Sequence, residues 1–292
     1  MSAATAKDET GKPGLLAESF EILKTLAAAL GIALVIRTLL FQPYTIPSAS
    51  DQPNLYRGDY IIVSKWSYGY SRHSLIFSPP VFKGRIFFTP PKRGDIIVFK
   101  LPRDGNTDYI KRLVGLPGDR IQMKAGVLWI NDKPVGEQSL GTHVSTDLNG
   151  IPSPVAWIRE TNPEGRSYAI QDHGRTAQDD TGVYVVPQHC YFMLGDNRDN
   201  SADSRFDSGL APDDPKLGGC GWDVRNDAIL ADKGVGFVPE ENLVGKAWFV
   251  LASWDTGIDD SDHSKATLFK PWTWVTEARW NRFFHGLNYT QQ

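Results

Sequence analysis

A single long apolar run, Phe20 to Phe41, constrains most strongly what this chain can fold into. Its charge-free centre, Thr25 to Ile36, is shorter than the roughly 20 residues that a bilayer-crossing helix needs. Lys24 and Arg37 flank that centre, and their long side chains can carry the charges to the two membrane interfaces. The whole run then extends about 33 Å as an α-helix, enough to cross. We therefore expect residues 20–41 to form an uncleaved transmembrane helix.

Two other interpretations of this run are open. It could be a cleavable secretory signal, with the small residues at 48–50 as the cleavage motif. That motif lies far beyond Ile36, and Arg37 and two prolines come between them, which argues against cleavage there. The run could also be a helix buried in a soluble core. For an anchor, the lysines on its N-terminal side favour a short cytoplasmic tail at residues 1–19 and an extracytoplasmic domain at 42–292.

The composition is that of an ordinary globular protein, with 41% hydrophobic residues, 22% charged residues and a net charge of −3. There is no basic excess to suggest a nucleic-acid partner. The two cysteines, Cys190 and Cys220, match no zinc motif, and the sequence leaves open whether they pair. Aromatic residues crowd the C-terminal end and form a candidate membrane-surface contact: Trp272, Trp274, Trp280, Phe283 and Phe284.

After residue 41 the pattern is that of strands separated by Gly, Pro, Asp and Asn turns, which predicts a mainly β fold with an antiparallel catalytic domain. The segment VLWINDKPV, Val127 to Val135, predicts a hairpin around Asn131-Asp132. A more polar region at about 124–188 is expected to be a smaller inserted β cap, and 207–233 a polar surface insertion. The expected strands are Asp59–Val63, Asp95–Leu101, Asp108–Val114, Arg120–Met123, Val127–Ile130, Val183–Val186, Tyr191–Leu194 and Leu243–Leu251.

Common catalytic templates are missing. The chain has neither an H-E-x-x-H motif nor a G-x-S-x-G nucleophile elbow, and its six histidines show no metal-ligand spacing. A Ser-His-Asp triad stays open, because its members need not be close in sequence. Directly after the apolar run, however, Ser48 and Ser50 stand in a loop between Pro47 and Pro53.

The segment DYIKRLVGLPGDR, Asp108 to Arg120, contains a lysine in an unusual setting. In a strand, Lys111 shares its face with Tyr109 and Leu113, so its amine points to an otherwise apolar side. A solvated surface lysine is the ordinary explanation. A lysine desolvated in such a setting can instead lose its proton and act as a neutral general base.

A third unusual segment, Tyr191 to Phe206, is a strand that ends in the dense polar loop GDNRDNSADSR. The alternate spacing of its acidic residues resembles a calcium loop, but Ser204 and Leu210 stand where glycine and glutamate are required. Calcium is therefore disfavoured, and a plain turn held by Asp and Asn side chains is the other explanation.

Taken in order, these segments resemble bacterial type I signal peptidase, the leader peptidase family. The resemblance rests on the apolar run followed by PSAS, GDYIIVSK, RGDIIVF, YIKRLVGLPGD, GDNRDNSADSR and FVPEENLVGKA. It extends from the apolar run to about Trp248, apart from the two polar insertions. It implies a Ser/Lys serine endopeptidase of mainly antiparallel β fold, with no metal, no cofactor and no catalytic histidine.

The resemblance also assigns roles residue by residue. Ser50 matches the nucleophile and Lys111 the general base, while Ser48 matches the residue whose hydroxyl helps to bind the oxyanion. Ser201 matches the serine that orients the lysine, and Asp203 and Arg205 match a supporting ion pair. The implied location is the bacterial inner membrane, with the catalytic domain on the periplasmic side. The implied partners are membrane lipid and secretory preproteins with small residues just before the cut and three residues back.

Two positions depart from the family pattern: Asp51 stands where Met is usual, and Asn54 where Thr is usual. A carboxylate about 6 Å from the lysine would favour the charged amine by roughly 3 kcal/mol at an effective dielectric of about 20. In an extended loop Asp51 would point away from Lys111, and we expect this arrangement. Asp51 is also the one feature that favours a catalytically inactive, membrane-tethered binding protein. A self-cleaving Ser/Lys peptidase is a further alternative.

Overall fold

In the computed structural model the protein is described at residues 15–75, 78–146, 152–221, 234–255, 272–287 and 290–291. It begins with helix α1, Leu15–Val35, which continues into a π-helical turn, Ile36–Leu40. Residues Glu18–Leu40 form a 23-residue span with a mean hydropathy of 1.9, and its most apolar window buries nothing against the rest of the protein. By length and composition this helix can cross a membrane, as expected for residues 20–41.

Within the described residues, sixteen strands, one short α-helix and six short 3₁₀-helices follow α1 and its π-helical turn. The α-helix is α2, Thr273–Thr276. The strands are β1 (Phe41–Thr45), β2 (Asp59–Ser64), β3 (Ile96–Lys100), β4 (Asp108–Gly115), β5 (Arg120–Lys124), β6 (Val127–Ile130), β7 (Lys133–Pro134), β8 (Gly136–Thr146), β9 (Pro152–Thr161), β10 (Arg166–Asp172), β11 (Tyr184–Val185), β12 (Cys190–Leu194), β13 (Val238–Pro239), β14 (Leu243–Ser253), β15 (His285–Gly286) and β16 (Thr290–Gln291).

The main sheet is antiparallel and has the order β1-β2-β14-β3-β4-β12-β13, with β15 paired to β14. The predicted fold class, mainly β after one apolar helix, is confirmed. Each predicted strand is present, with ends shifted by no more than two residues. The predicted hairpin is also present: Ile130 pairs with Lys133, and Asn131 and Asp132 have φ angles of 53° and 62°. These positive angles are the ones that a two-residue hairpin turn needs.

Two further four-stranded sheets have the orders β16-β10-β9-β8 and β11-β5-β6-β7. They account for most of the region where the sequence predicts a β cap at about 124–188, and the division of the chain into domains stays a prediction. Part of the predicted insertion at 207–233 lies outside the described residues. The described part is attached to the main sheet, because Cys220 and Cys190 form a disulfide bond. The sequence had left this pairing open.

The apolar helix leads into the main sheet without a flexible linker. β1 starts at Phe41, directly after the π-helical turn, and pairs with β2 along its whole length. The ring of Phe41 lies edge-on to Trp66 and Trp248, with ring centroids 4.5 and 5.4 Å away. The hydroxyl of Tyr70 donates a hydrogen bond to the Leu39 carbonyl oxygen at 2.7 Å. These contacts hold the end of the helix against the sheet.

The two strands that position the site, β4 and β12, lie next to each other in the main sheet. β3, on the other side of β4, is buried on both faces. Its residues Ile96 and Val98 belong to one apolar cluster, and Ile97 and Phe99 to another. A strand that packs against apolar residues on both faces consists of consecutive apolar residues, as β3 does from Ile96 to Phe99. β4 therefore lies between two paired strands, the buried β3 and β12.

Candidate active site

Ser50 lies in a tight turn between β1 and β2. The Gln52 N–H donates to the Ala49 carbonyl oxygen at 3.2 Å, and the Asn54 N–H donates to the Asp51 carbonyl oxygen at 3.0 Å. Leu55, at the end of the turn, is fully buried in the core that β2 contributes to. The apolar anchor and the backbone hydrogen bonds hold Ser50 in place, and only 8% of its surface is exposed.

Lys111, on β4, lies against Ser50. The amine Nζ is 2.6 Å from Ser50 Oγ, although the two residues are 61 positions apart. Lys111 pairs in register with Ile97 of β3 and is 3% exposed. Its other contacts are the Ile110 carbonyl oxygen at 2.9 Å and Asp51 Oδ2 at 3.2 Å. The geometry brings together the serine and the lysine that the sequence singled out.

The expectation that Asp51 points away from the lysine is wrong. Asp51 Oδ2 accepts a hydrogen bond from Ser50 Oγ at 2.8 Å and forms an ion pair with Lys111 Nζ at 3.2 Å. The expectation assumed an extended loop, in which successive side chains alternate. The loop is a turn at this point, and a turn can place neighbouring side chains on the same side.

Asp51 is 1% exposed, and its second oxygen, Oδ1, has no hydrogen-bond partner among the described residues. Burial raises the pKa of the Asp51 carboxyl above its usual value, and the nearby Asp196 carboxylate adds to this. The charge of Lys111 and the hydrogen bonds from Ser50 and Lys111 act in the opposite direction without cancelling it. The protein therefore favours the protonated form of Asp51 more than water does.

The polar loop after β12 supports the backbone of the turn that holds Ser50. The Asn197 N–H donates to the Ser50 carbonyl oxygen at 3.0 Å. Gly195 approaches the same oxygen so closely that a Cβ atom added there would lie 2.6 Å from it and would also overlap Ser201. Asn54 Nδ2 donates to Asp196 Oδ2 at 2.7 Å and to the Ala169 carbonyl oxygen at 2.7 Å. Because Gly195 has no side chain, the loop after β12 can approach the turn that holds Ser50, and these hydrogen bonds join the two segments.

Three buried ion pairs fix the loop after β12. Each guanidinium binds its carboxylate through two nitrogens, which is the strongest geometry for such a pair. Removing one partner from a pair of this kind typically costs about 3–5 kcal/mol, because the other charge is left buried and unpaired. The pairs are Arg112–Asp196, Arg198–Glu160 and Arg205–Asp203.

Asp203 behaves differently from Asp51, although both are buried. Burial by itself raises the pKa of Asp203. The charge of Arg205, its hydrogen bonds and the donors Gly195 N–H and Arg205 N–H outweigh that effect and lower the pKa. Asp203 is therefore held as a charged, structural carboxylate.

The two remaining serines of the predicted site stand in different situations. Ser48 is exposed, and its Oγ lies 3.2 Å from Ser50 Oγ, so its hydroxyl borders the place where a substrate carbonyl would meet the nucleophile. Ser201 is 8% exposed, and its Oγ has no hydrogen-bond partner among the described residues. The contacts found for Lys111 Nζ go to Ser50, Asp51 and Ile110 instead. The lysine-orienting role of Ser201 stays a prediction.

The sequence did not reveal several residues that hold the site together. Glu160, on β9, lies in the cap region and carried no motif, yet it forms the fully buried pair with Arg198. Asp196 and Arg112 stand within quoted motifs. Arg112 lies on β4 and Asp196 directly follows the end of β12, the strand paired with β4, so the strand order alone could have suggested their contact. Asn54 was noted only as a departure from the family pattern, whereas its side chain links the turn that holds Ser50 to the loop after β12.

The arrangement can perform nucleophilic acyl transfer. A hydroxyl lies within hydrogen-bond reach of an amine that can take its proton, which is the geometry required of a nucleophile and its base. Among the described residues, no group of three or more His, Cys, Asp or Glu side chains is placed to hold a metal ion.

Three comparisons bear on identity. Residues 19–254 match the family model described as "Signal peptidase, peptidase S26". Signal peptidase I of Rickettsia typhi is 40% identical over 270 residues, which cover 88% of this chain and 89% of that protein. Signal peptidase I of Rickettsia canadensis is 38% identical over 281 residues, covering 92% and 94%.

A solved structure is more distant. The crystal structure of a signal peptidase I from Enterococcus faecalis is 24% identical and covers 54% of this chain and 97% of that chain. Its TM-score is 0.26, so this likeness supports no conclusion about the chain.

Proposed function

The chain belongs to the signal peptidase family, peptidase S26, and on that premise we propose that Ser50 is its nucleophile and Lys111 its general base. As a member of this family the protein is a serine endopeptidase that removes signal peptides from preproteins. The observation that carries the assignment of residues is the distance of 2.6 Å between Lys111 Nζ and Ser50 Oγ. That contact also supports an active enzyme over an inactive, membrane-tethered binding protein.

In the proposed reaction, Ser50 Oγ attacks the scissile carbonyl while neutral Lys111 takes the hydroxyl proton. The tetrahedral intermediate collapses as Lys111 gives the proton to the leaving amine, and an acyl group stays on Ser50. A water molecule then attacks this ester, again with Lys111 as base, and the proton returns to Ser50 Oγ. Lys111 is neutral at the end of the cycle, as at the start.

Ser48 is the proposed side-chain donor to the oxyanion, together with the backbone N–H of Ser50. Its hydroxyl lies beside Ser50 Oγ and is accessible to a substrate. A donor fixed before reaction stabilises the transition state by about 3–4 kcal/mol. Asp203 and Arg205 are proposed to support the loop that faces the nucleophile, and Ser201 is proposed to orient Lys111 once a substrate is bound.

The apolar helix α1 indicates membrane anchoring. We place the N-terminus in the bacterial cytoplasm and the peptidase domain on the periplasmic side, because positive charges precede the helix. This topology puts Ser50 on the side where the cleavage site of a translocating preprotein emerges. The preferred substrates are proposed to carry small residues just before the cut and three residues back.

Processing of a purified preprotein in detergent tests this assignment. Ser50→Ala and Lys111→Met should each lower kcat at least about a thousandfold, with little change in KM, because each removes a group that acts in the chemical step. Ser139→Ala and Lys133→Met, at exposed positions of β8 and β7, are the matched controls and should keep wild-type rates. Full activity of Ser50→Ala would refute the proposed site.

A further inference from the structure

Asp51 Oδ2 forms a triangle with the two proposed catalytic atoms. Its sides are 2.6 Å from Lys111 Nζ to Ser50 Oγ, 2.8 Å from Ser50 Oγ to Asp51 Oδ2, and 3.2 Å from Asp51 Oδ2 to Lys111 Nζ. In this arrangement Lys111 donates to Ser50, and Ser50 donates to Asp51. When Lys111 is an ammonium it can only donate to Ser50, so the hydroxyl proton is then directed to an acceptor such as the Asp51 carboxylate and not to the amine that has to take it.

The triangle is closed off from water. Asp51 is 1% exposed and Lys111 3% exposed. Asp196, in the loop after β12, acts on Asp51 electrostatically, and Asp51 acts in the same way on Arg112 of β4. Arg112 and Asp196 bind each other through two hydrogen bonds, so their opposite charges offset one another at the triangle.

Building on the proposed dyad, we infer that Asp51 is a positioning residue of the reaction. It holds the amine of Lys111 against Ser50 Oγ and takes the proton that Lys111 has to lose before it can act as a base. The pair carries one proton in the working enzyme. Lys111 becomes neutral by passing that proton to Asp51 inside the site, without releasing it to solvent.

Burial is the physical reason for this transfer. A charged pair is stabilised by its own attraction, but burying two ions costs much more hydration free energy than burying a neutral acid and amine. Burial is the largest influence on the pKa of Asp51 and raises it in spite of the neighbouring lysine. The protonated carboxyl and neutral amine are thus brought close in energy to the charged pair.

Moving this one proton reverses both hydrogen bonds to Ser50. Before transfer the pair is an ammonium and a carboxylate, and afterwards it is an amine and a carboxylic acid, with the net charge unchanged. The new Oδ2–H can donate to Ser50 Oγ, so the Ser50 hydroxyl is free to donate to the lone pair of Lys111. This is the arrangement that general-base catalysis requires. Asp51 keeps its proton while Lys111 cycles between amine and ammonium.

The inference gives the reaction two pH limits. At low pH the triangle holds two protons, Lys111 is charged, and there is no base. At high pH Asp51 loses its proton, accepts the Ser50 hydroxyl again, and its charge opposes the negative charge that develops on the substrate oxygen. Arg112 and Asp196, which act on Asp51 electrostatically, bind each other as a buried ion pair. The alkaline limit therefore belongs to Asp51.

The dependence of kcat/KM on pH, measured with a preprotein, tests the inference. In Asp51→Asn and Asp51→Met the alkaline limb should disappear or move up by roughly one pH unit or more. The Asn variant should also lose about tenfold in kcat at its optimum, because the general base has lost a contact that holds it. Asp132→Asn is the matched control: Asp132 is exposed in the β6–β7 turn, and its variant should keep both limbs.

Thermal stability gives a second readout that needs no activity. The raised pKa of Asp51 means that the folded state holds this proton more tightly than the unfolded state. Stability is then lost as pH rises from the usual aspartate value to the raised one. Asp51→Asn cannot lose stability in this way, so the gap between its melting temperature and that of the wild type should widen as pH rises above the usual aspartate value of about 4.

The outcomes separate this inference from the proposed function. If Ser50→Ala is inactive but Asp51→Asn keeps the wild-type pH limbs, Asp51 takes no proton and the inference fails while the dyad stands. A wild-type rate that rises through the alkaline range would also overturn it, since Lys111 would then become a base by losing its proton to solvent and not to Asp51. Loss of the alkaline limb together with the widening gap in melting temperature supports it.

Discussion

Gly195 shows how strongly the site depends on single residues. It has no side chain at the point where the nucleophile turn meets the loop after β12, and an added Cβ would lie 2.6 Å from the Ser50 carbonyl oxygen. We expect Gly195→Ala to push Ser50 away from Lys111 and to lower kcat/KM about a hundredfold, since a small misplacement of catalytic groups has an effect of this size.

The same substitution at Gly136, at the start of β8, is the control. A Cβ there would meet the Thr161 side chain at an ordinary contact distance of 3.6 Å. Gly136→Ala should keep the wild-type kcat/KM in the preprotein assay. Equal activity of the two alanine variants would contradict the close approach of the two loops.

At the residue scale, the sequence could identify the chemical groups but not their mutual orientation. Ser50 and Lys111 follow from the ordered motifs, and strand alternation places the lysine on an apolar face. The contact of Asp51 with both of them could not be predicted, because it depends on a turn closed by backbone hydrogen bonds. Local turn geometry of this kind is not encoded in the spacing of residue types.

At the element scale, the longer strands of the main sheet and the strands β5, β6 and β11 of one smaller sheet were predictable, whereas β8 to β10 of the other were not. β3 is a continuous run of Ile, Val and Phe, and β4 combines Tyr, Ile, Leu and Val with two basic residues; both are bounded by turn residues, which is a strong strand signal. β8 and β9 were missed because they carry many Gly, Pro, Ser and charged residues and much of their surface is exposed, and β10 because polar residues surround its short apolar centre. Their long antiparallel pairing holds them as strands in spite of weak intrinsic preference.

β9 nevertheless contributes to the site, although no sequence motif marks this strand. Glu160 on this strand is fully buried and binds Arg198 in the loop after β12. The strand therefore supports, through an ion pair, the loop that positions the Ser50 carbonyl. A contact between elements so far apart along the chain leaves no local pattern to detect.

At the scale of the whole molecule, the C-terminal aromatic residues stay a candidate membrane contact. Trp272, Trp280 and Phe284 are 64%, 61% and 72% exposed, and Phe283 stacks on Trp280. Aromatic rings are stable at the level of lipid headgroups, so we expect this surface to bind membranes independently of α1.

Vesicle binding by a chain that lacks residues 1–40 tests this contact. Replacing Trp272, Trp280 and Phe284 by serine should weaken binding at least about tenfold, since burying one large apolar side chain contributes roughly 1.5–3 kcal/mol. Val144→Ser, at a strongly exposed position of β8, is the control for loss of an apolar side chain. Unchanged binding by the triple variant would rule the contact out.

The central claim is that Ser50 becomes acylated with the help of Lys111. Mass spectrometry of the intact protein and its peptides, after incubation with a serine-directed acylating probe, tests this claim most directly. We predict that the probe is found on Ser50 in the wild type, and that Lys111→Met is labelled at least about a thousandfold more slowly. Labelling at another residue, or equal labelling of Ser50 in Lys111→Met, would contradict the Ser/Lys mechanism.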